Sequence, residues 1–113
     1  MKPSNGNAMK NFFAEIPEDL KDELFETVLQ TDSFRIERIV SHGHGSSEGF
    51  WYDENDHEWV IVLKGSAGLH FENNDETIVL KPGDYIHIEK HRRHRVAWTD
   101  KEQETIWLAV HYS

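Results

Sequence analysis

The stretch His57-Glu58-Trp59-Val60-Ile61-Val62-Leu63-Lys64-Gly65 decides the fold. It predicts a β-strand that Gly65 ends, and both of its alternating faces are largely apolar. Residues 105–112 repeat this pattern. Because a strand with one side in water is polar on that side, something must cover the second face. The candidates are the segment 11–30 and another subunit, and we expect a homodimer.

Further short segments on either side of this stretch also have the composition of strands. They are residues 34–42, 50–52, 67–71, 77–80, 85–88 and 94–98. Turns rich in glycine, proline, asparagine and aspartate separate them. Strands at such regular spacing, with no helix between them, indicate an antiparallel sandwich or barrel.

The leading part of the chain has a different character. Residues 1–10 are polar, and we expect them to be flexible. In residues 11–30, Leu20, Leu24 and Val28 recur at helical spacing, and Pro17 suits a first helical turn. We therefore predict a short N-terminal helix over residues 11–30, before a barrel over residues 34–113, within one domain over residues 11–113.

Composition excludes several classes of protein. The 113 residues include 21 acidic and 12 basic side chains, with a net charge of −9. This acidity argues against nucleic acid or a membrane as the partner. The absence of cysteine excludes disulfides and thiolate zinc sites. No apolar run approaches the length of about 20 residues that a membrane span needs. We expect a cytoplasmic protein.

The spacing of five residues carries a resemblance to a known family. Gly45, Trp51, Asp53, Glu58 and Gly65 stand at the separations of the first motif of the cupin family. In that motif the second and third positions are histidines. Here they are Trp51 and Asp53, whereas the glutamate position is retained.

A second motif of the same family follows in the right order. Gly83 and His94 keep its spacing, but Glu89 and His91 replace its proline and second glycine. Trp98 stands at its closing asparagine position. The resemblance implies an all-β fold, a small antiparallel double-stranded β-helix also called a jelly-roll barrel. Function varies widely within such a fold, so the fold alone does not settle it.

In cupins that bind a metal, the motif histidines and glutamate converge on one ion. The resemblance therefore implies a divalent ion, Mn²⁺, Fe²⁺ or Zn²⁺, held by Asp53, Glu58 and His94. Two carboxylates and an imidazole suit such an ion. Strand alternation also points Glu58 and His94 inward. An equally weighted alternative is that Glu58 lies at the barrel mouth, solvated or bonded to His94.

Other side chains are candidates for a pocket or an anion site. They are Trp51, His57, Arg92 and Trp98. The first hypothesis is that the protein binds a metal ion and a small polar metabolite, as a dioxygenase or isomerase would. The second is a metal-free cupin that binds or senses a small molecule. The third is a barrel whose role is assembly.

Overall fold

The computed structural model describes residues 9–113, which form eight strands in two antiparallel sheets. The strands are β1 (Leu24–Gln30), β2 (Phe34–Ser41), β3 (His57–Lys64), β4 (Ala67–Phe71), β5 (Thr77–Leu80), β6 (Tyr85–Ile88), β7 (His94–Thr99) and β8 (Thr105–Tyr112). One sheet has the order β1-β2-β8-β3-β6 and the other has the order β5-β4-β7. The predicted all-β antiparallel fold is confirmed. Most of the predicted flexible segment 1–10 lies outside the described residues.

The core fills the space between the two sheets. Its buried members are apolar residues at alternate strand positions, so each strand contributes one face to it. They include Val60, Val62, Leu69, Phe71, Ile88, Val96, Trp107 and Ala109. The polar side chains described below lie where this apolar layer ends.

The predicted helix over residues 11–30 is wrong. Residues 24–30 form β1, which pairs antiparallel with β2, and residues 11–23 form turns and extended chain before it. Without β1, one edge of β2 would present unpaired backbone groups. Six residues of β1 pair with β2, and the register shifts at Val28. This pairing, in a strand that includes β-branched Thr27 and Val28, outweighs the helical spacing of the leucines.

A buried arginine, Arg38, anchors residues 11–23, the leading segment, to the outer face of the larger sheet. Arg38 is 7% exposed. Its guanidinium donates to Glu26 Oε1 at 2.6 Å and to the carbonyl oxygens of Phe12 and Ala14 at 3.0 and 2.7 Å. The segment therefore covers part of the second apolar face.

The rest of that outer face is only half-buried. Trp59, Ile61, Leu108 and Val110 lie there on β3 and β8. The homodimer stays a prediction. Over residues 9–113 the structure contains no helix long and apolar enough to cross a membrane.

Replacing Arg38 with leucine tests the fastening of the segment. Arg38→Leu leaves Glu26 and two carbonyl groups without their donor, so we expect the free energy of unfolding to fall by about 1.5–3 kcal/mol in urea titrations. Arg93→Leu is the matched control, since Arg93 is 44% exposed and pairs with Glu72 at the surface. It should cost less than about 1 kcal/mol. Equal losses in both variants would contradict the fastening role.

Candidate acid–base and ligand site

The register of three neighbouring strands builds one wall of the site. His111 of β8 lies opposite Arg35 of β2 on one side and opposite Glu58 of β3 on the other. Residues opposite each other on adjacent strands share a face. Arg35, His111 and Glu58 therefore form a row on the inner face of the larger sheet. Glu37 follows two residues along β2 on the same face.

A cavity of about 200 Å³ lies between this row and the smaller sheet. Its lining combines apolar core residues with ionisable side chains. The ionisable and aromatic members are Glu23, Phe25, Arg35, Glu37, Tyr52, Glu54, Glu58, His94, Trp107 and His111. Pockets for drug-sized ligands measure about 300–1,000 Å³, so this cavity suits a smaller molecule.

His94 of β7 faces Glu58 across the cavity. The Nε2 atom of His94 lies 3.8 Å from Oε1 of Glu58, too far for a hydrogen bond. On the other side of the ring, Nδ1 lies 2.9 Å from the carbonyl oxygen of Arg92. Since a carbonyl only accepts, Nδ1 carries the proton and the lone pair of the neutral ring is on Nε2. That lone pair lies on the side facing Glu58.

Burial is the main influence on the carboxyl group of Glu58. Its removal from water raises the pKa of Glu58 above the usual value. His111 and His94 oppose the shift, whereas Glu54 and Glu37 raise that pKa further. The site therefore sets a buried carboxyl group with a raised pKa beside the Nε2 atom of His94.

His111 and Glu37 form an ion pair next to Glu58. His111 Nε2 lies 3.0 Å from Glu37 Oε1 and 4.0 Å from Glu58 Oε2. The hydrogen bond to Glu37 raises the pKa of His111, although burial opposes this. The same hydrogen bond lowers the pKa of Glu37, against its burial and with help from the charges of His111 and Arg35. The pair is thus most favourable with both partners charged.

Tyr52 holds His94 in place. The two residues exchange backbone hydrogen bonds of 2.7 and 3.2 Å, and their rings stack at 5.4 Å. Burial, aided by the charges of Glu23, Glu58, Glu54 and Glu37, raises the pKa of Tyr52 to about 12. Tyr52 therefore keeps its phenolic proton.

Two N–H groups among the cavity-lining residues have no hydrogen-bond partner within residues 9–113. They are Nε1 of Trp107, a residue only 4% exposed, and Nε of Arg35. Buried donors are nearly always paired, and an unpaired one costs about 1–3 kcal/mol. A bound molecule with oxygen acceptors would satisfy them.

The structure assembles two of the three predicted metal ligands. Glu58 and His94 face each other, but Asp53 lies outside the cavity, its side chain 50% exposed and 2.8 Å from Nδ1 of His91. Within residues 9–113, no three His, Asp or Glu side chains are grouped closely enough to hold a metal ion. The arrangement of these residues does not fit a divalent ion at the predicted position.

The four predicted pocket residues also lie outside the cavity lining. Trp51 packs near His70 with ring centroids 5.8 Å apart, and Trp98 is 38% exposed. His57 accepts the backbone N–H of Lys90 at 3.1 Å. The guanidinium of Arg92 lies 3.8 Å from the ring centre of Phe71.

Sequence reasoning missed the wall opposite His94. Arg35, Glu37 and His111 were not expected in the site, whereas Tyr52 and Trp107 were weighed as pocket or core residues. Alternation could have found His111, because it shares a face of β8 with Trp107 and Ala109, which are buried in the core. The pairing of His111 with Glu37 depends on strand register, which local spacing does not encode.

Comparison with known proteins agrees with this architecture. A family model of the cupin domain matches residues 37–111, and no curated protein matches the chain. A crystal structure from Ralstonia eutropha JMP134, of a proposed mannose-6-phosphate isomerase, is 46% identical with a TM-score of 0.90. The match covers 94% of this chain and 98% of that one.

Two more distant structures show the same fold. One is a cupin superfamily protein from Desulfitobacterium hafniense DCB-2, with 20% identity, a TM-score of 0.69, and coverage of 86% of this chain and 83% of that one. The other is an RmlC-like cupin with a double-stranded β-helix from Methanocaldococcus jannaschii, with 20% identity, a TM-score of 0.67, and coverage of 87% and 86%. The predicted double-stranded β-helix is confirmed.

The pair of His111 and Glu37 gives stability a specific pH dependence. A raised pKa for His111 means that its contribution is complete below about pH 6.5 and is lost as the pH rises through the folded-state value. The lowered pKa of Glu37 means that its contribution is lost only in acid, below about pH 4.5. We therefore expect the free energy of unfolding to fall as the pH rises above about 6.5.

His111→Gln should reduce that fall, by about 1.4 kcal/mol for each unit by which the pKa of His111 is raised. Urea titrations at several pH values measure it. His42→Gln, at an exposed histidine outside the cavity, is the control and should keep the dependence of the unchanged protein. An identical pH dependence in His111→Gln would show that the pair does not titrate in this way.

Proposed function

The chain belongs to the cupin family, and we propose that its cavity binds a small hydroxy-carbonyl compound and catalyses an isomerase-type proton transfer without a metal ion. One observation carries the proposal. The carboxyl group of Glu58, whose pKa burial raises, and Nε2 of His94 face each other at 3.8 Å in a cavity lined by both apolar and ionisable side chains. The likeness to a proposed mannose-6-phosphate isomerase supports the same class of reaction.

His94 is the base in this proposal. Its Nε2 takes a proton from the carbon next to the carbonyl group of the ligand. The hydrogen bond from Nδ1 to the Arg92 carbonyl oxygen fixes the tautomer, and stacking on Tyr52 fixes the ring plane. A base must lie within hydrogen-bond reach of the proton it removes, and the unoccupied side of Nε2 provides that position.

Glu58 is the acid. As His94 removes the carbon-bound proton, the carboxyl group of Glu58 donates its own proton to the carbonyl oxygen, which gives an enediol. The Glu58 carboxylate then takes the proton of the other enediol hydroxyl, and His94 returns its proton to the former carbonyl carbon. Both residues end in their starting states, so the reaction needs no further reactant. Burial raises the pKa of Glu58 and so favours the protonated form that the first step uses.

Deuterium exchange tests the assignment of acid and base. In D₂O, NMR should show that the protein exchanges the proton on the carbon next to the carbonyl group of at least one of three sugars. That carbon is C2 in D-mannose and D-mannosamine and C1 in D-fructose. Glu58→Gln and His94→Gln should each slow that exchange by about 10²–10⁴-fold. The matched controls are Glu89→Gln and His87→Gln, at exposed positions outside the cavity, and they should keep the original rate. No exchange with any of the three sugars would contradict the proposal.

Metal dependence is a separate prediction. Treatment with EDTA should leave the exchange rate unchanged, and adding Mn²⁺, Fe²⁺ or Zn²⁺ should not raise it. Asp53→Asn should also keep the rate, because Asp53 lies outside the cavity. A rate that EDTA abolishes, one of these ions restores and Asp53→Asn lowers would favour the metal-dependent alternative.

A further inference from the structure

The charges around the cavity are strongly unbalanced. Four carboxyl groups line it, those of Glu23, Glu37, Glu54 and Glu58, against one guanidinium group, that of Arg35. Arg35 Nε lies 3.8 Å from Glu37 Oε2, and His111 bonds the other oxygen of that carboxylate. Both cationic partners therefore contact Glu37, and His111 also lies 4.0 Å from Glu58 Oε2.

Glu23 and Glu54 have no comparable partner in the part of the chain that the structure describes. Glu23 accepts a hydrogen bond from Ser41 Oγ at 2.9 Å, which adds no charge. Within residues 9–113, neither Glu23 nor Glu54 forms an ion pair with a lysine, arginine or histidine. Glu23 is half-buried and Glu54 is exposed, and both carboxyl groups carry negative charge at the cavity even when Glu58 is protonated. Such a field attracts cations and repels anions.

Aromatic faces accompany the carboxyl groups. Tyr52, Phe25 and Trp107 all line the cavity, and Phe25 is half-exposed at its rim. An ammonium group is stabilised over such rings, more so when water is excluded. The carboxyl groups and rings favour a cation, whereas the Nε1–H of Trp107 is a donor without a partner within residues 9–113. An oxygen acceptor on the same ligand would satisfy it.

The basic run over residues 90–95 does not offset this field. Arg92 lies over the Phe71 ring, Arg93 pairs with Glu72 at 3.1 Å, and Arg95 donates to the carbonyl oxygen of Ser46 at 3.0 Å. None of these arginines lines the cavity. Recognition of a phosphate commonly uses arginine or lysine, and the only arginine in the cavity wall already faces a carboxylate.

We infer that the cavity takes a small amine that carries hydroxyl or carbonyl oxygens, such as an amino sugar, and rejects phosphorylated sugars. The ammonium group would lie among Glu23, Glu54 and the Tyr52 ring, and an oxygen would accept the Trp107 N–H. This inference rests on the proposed function of the same cavity. It distinguishes this chain from its 46% identical neighbour, whose proposed activity is on a phosphorylated sugar.

Three hexoses with one skeleton and different charges test the inference. They are D-mannosamine, a cation, D-mannose, which is neutral, and D-mannose 6-phosphate, an anion. Isothermal titration at pH 7, in low salt and an amine-free buffer, should give the tightest binding for D-mannosamine, by about tenfold over D-mannose, and the weakest for the phosphate. D-mannose 6-phosphate binding as tightly as D-mannose, or more tightly, would overturn the inference.

Variants connect the preference to the carboxyl groups. Glu54→Gln and Glu23→Gln should each reduce the preference for D-mannosamine over D-mannose severalfold, whereas Glu89→Gln, outside the cavity, should leave it unchanged. A preference unaffected by the first two variants would also overturn the inference. If none of the three sugars binds, the proposed ligand-binding function itself fails. If they bind with the charge order reversed, only the inference about charge fails.

Discussion

The register of β8 between β2 and β3 is the constraint on which the site depends. β8 pairs with β2 through eight successive residues, Thr105 to Tyr112, and with β3 on its other edge. A slip of one residue would turn Trp107 and His111 to the outer face and put their neighbours inside. The apolar alternation of β8 prevents that slip, because Ala109 is fully buried and Trp107 nearly so. The packing of Trp107 and Ala109 in the middle of β8 therefore fixes the direction in which His111 points near its end.

Sequence reasoning succeeded where local pattern determines structure. Alternation located β3 with the bounds that the structure shows and pointed Glu58 and His94 inward. It failed over residues 24–30, where helical spacing was present but pairing with β2 decided the outcome. Asp53 was predicted from motif spacing alone. It lies in the loop before β3, where no alternation fixes its direction, and it pairs with His91 instead. Glu37 and His111 are 74 residues apart in sequence, and only the order of strands in the sheet brings them together.

The chain shows how a fold can keep a motif while changing its chemistry. Trp51 and Asp53 stand where the family's motif has histidines, and neither side chain lines the cavity. The retained glutamate and histidine remain in the cavity and gain new neighbours, an ion pair on one side and a tyrosine on the other. Removal from water, which raises its pKa, is then the largest influence on the carboxyl group of Glu58. Motif spacing is therefore evidence for the barrel fold, whereas the residue types in the cavity are evidence for its chemistry.

Arg38 links the two faces of the larger sheet. Its guanidinium joins Glu26 of β1 to the backbone of residues 12–15 on the outer side, while β1 carries Phe25 at the rim of the cavity on the inner side. One strand thus belongs both to the anchorage of the leading segment and to the cavity wall. For a ligand whose affinity depended on this anchorage, the linkage would be reciprocal. The factor by which release of residues 12–15 weakened its binding would equal the factor by which its binding strengthened their anchorage.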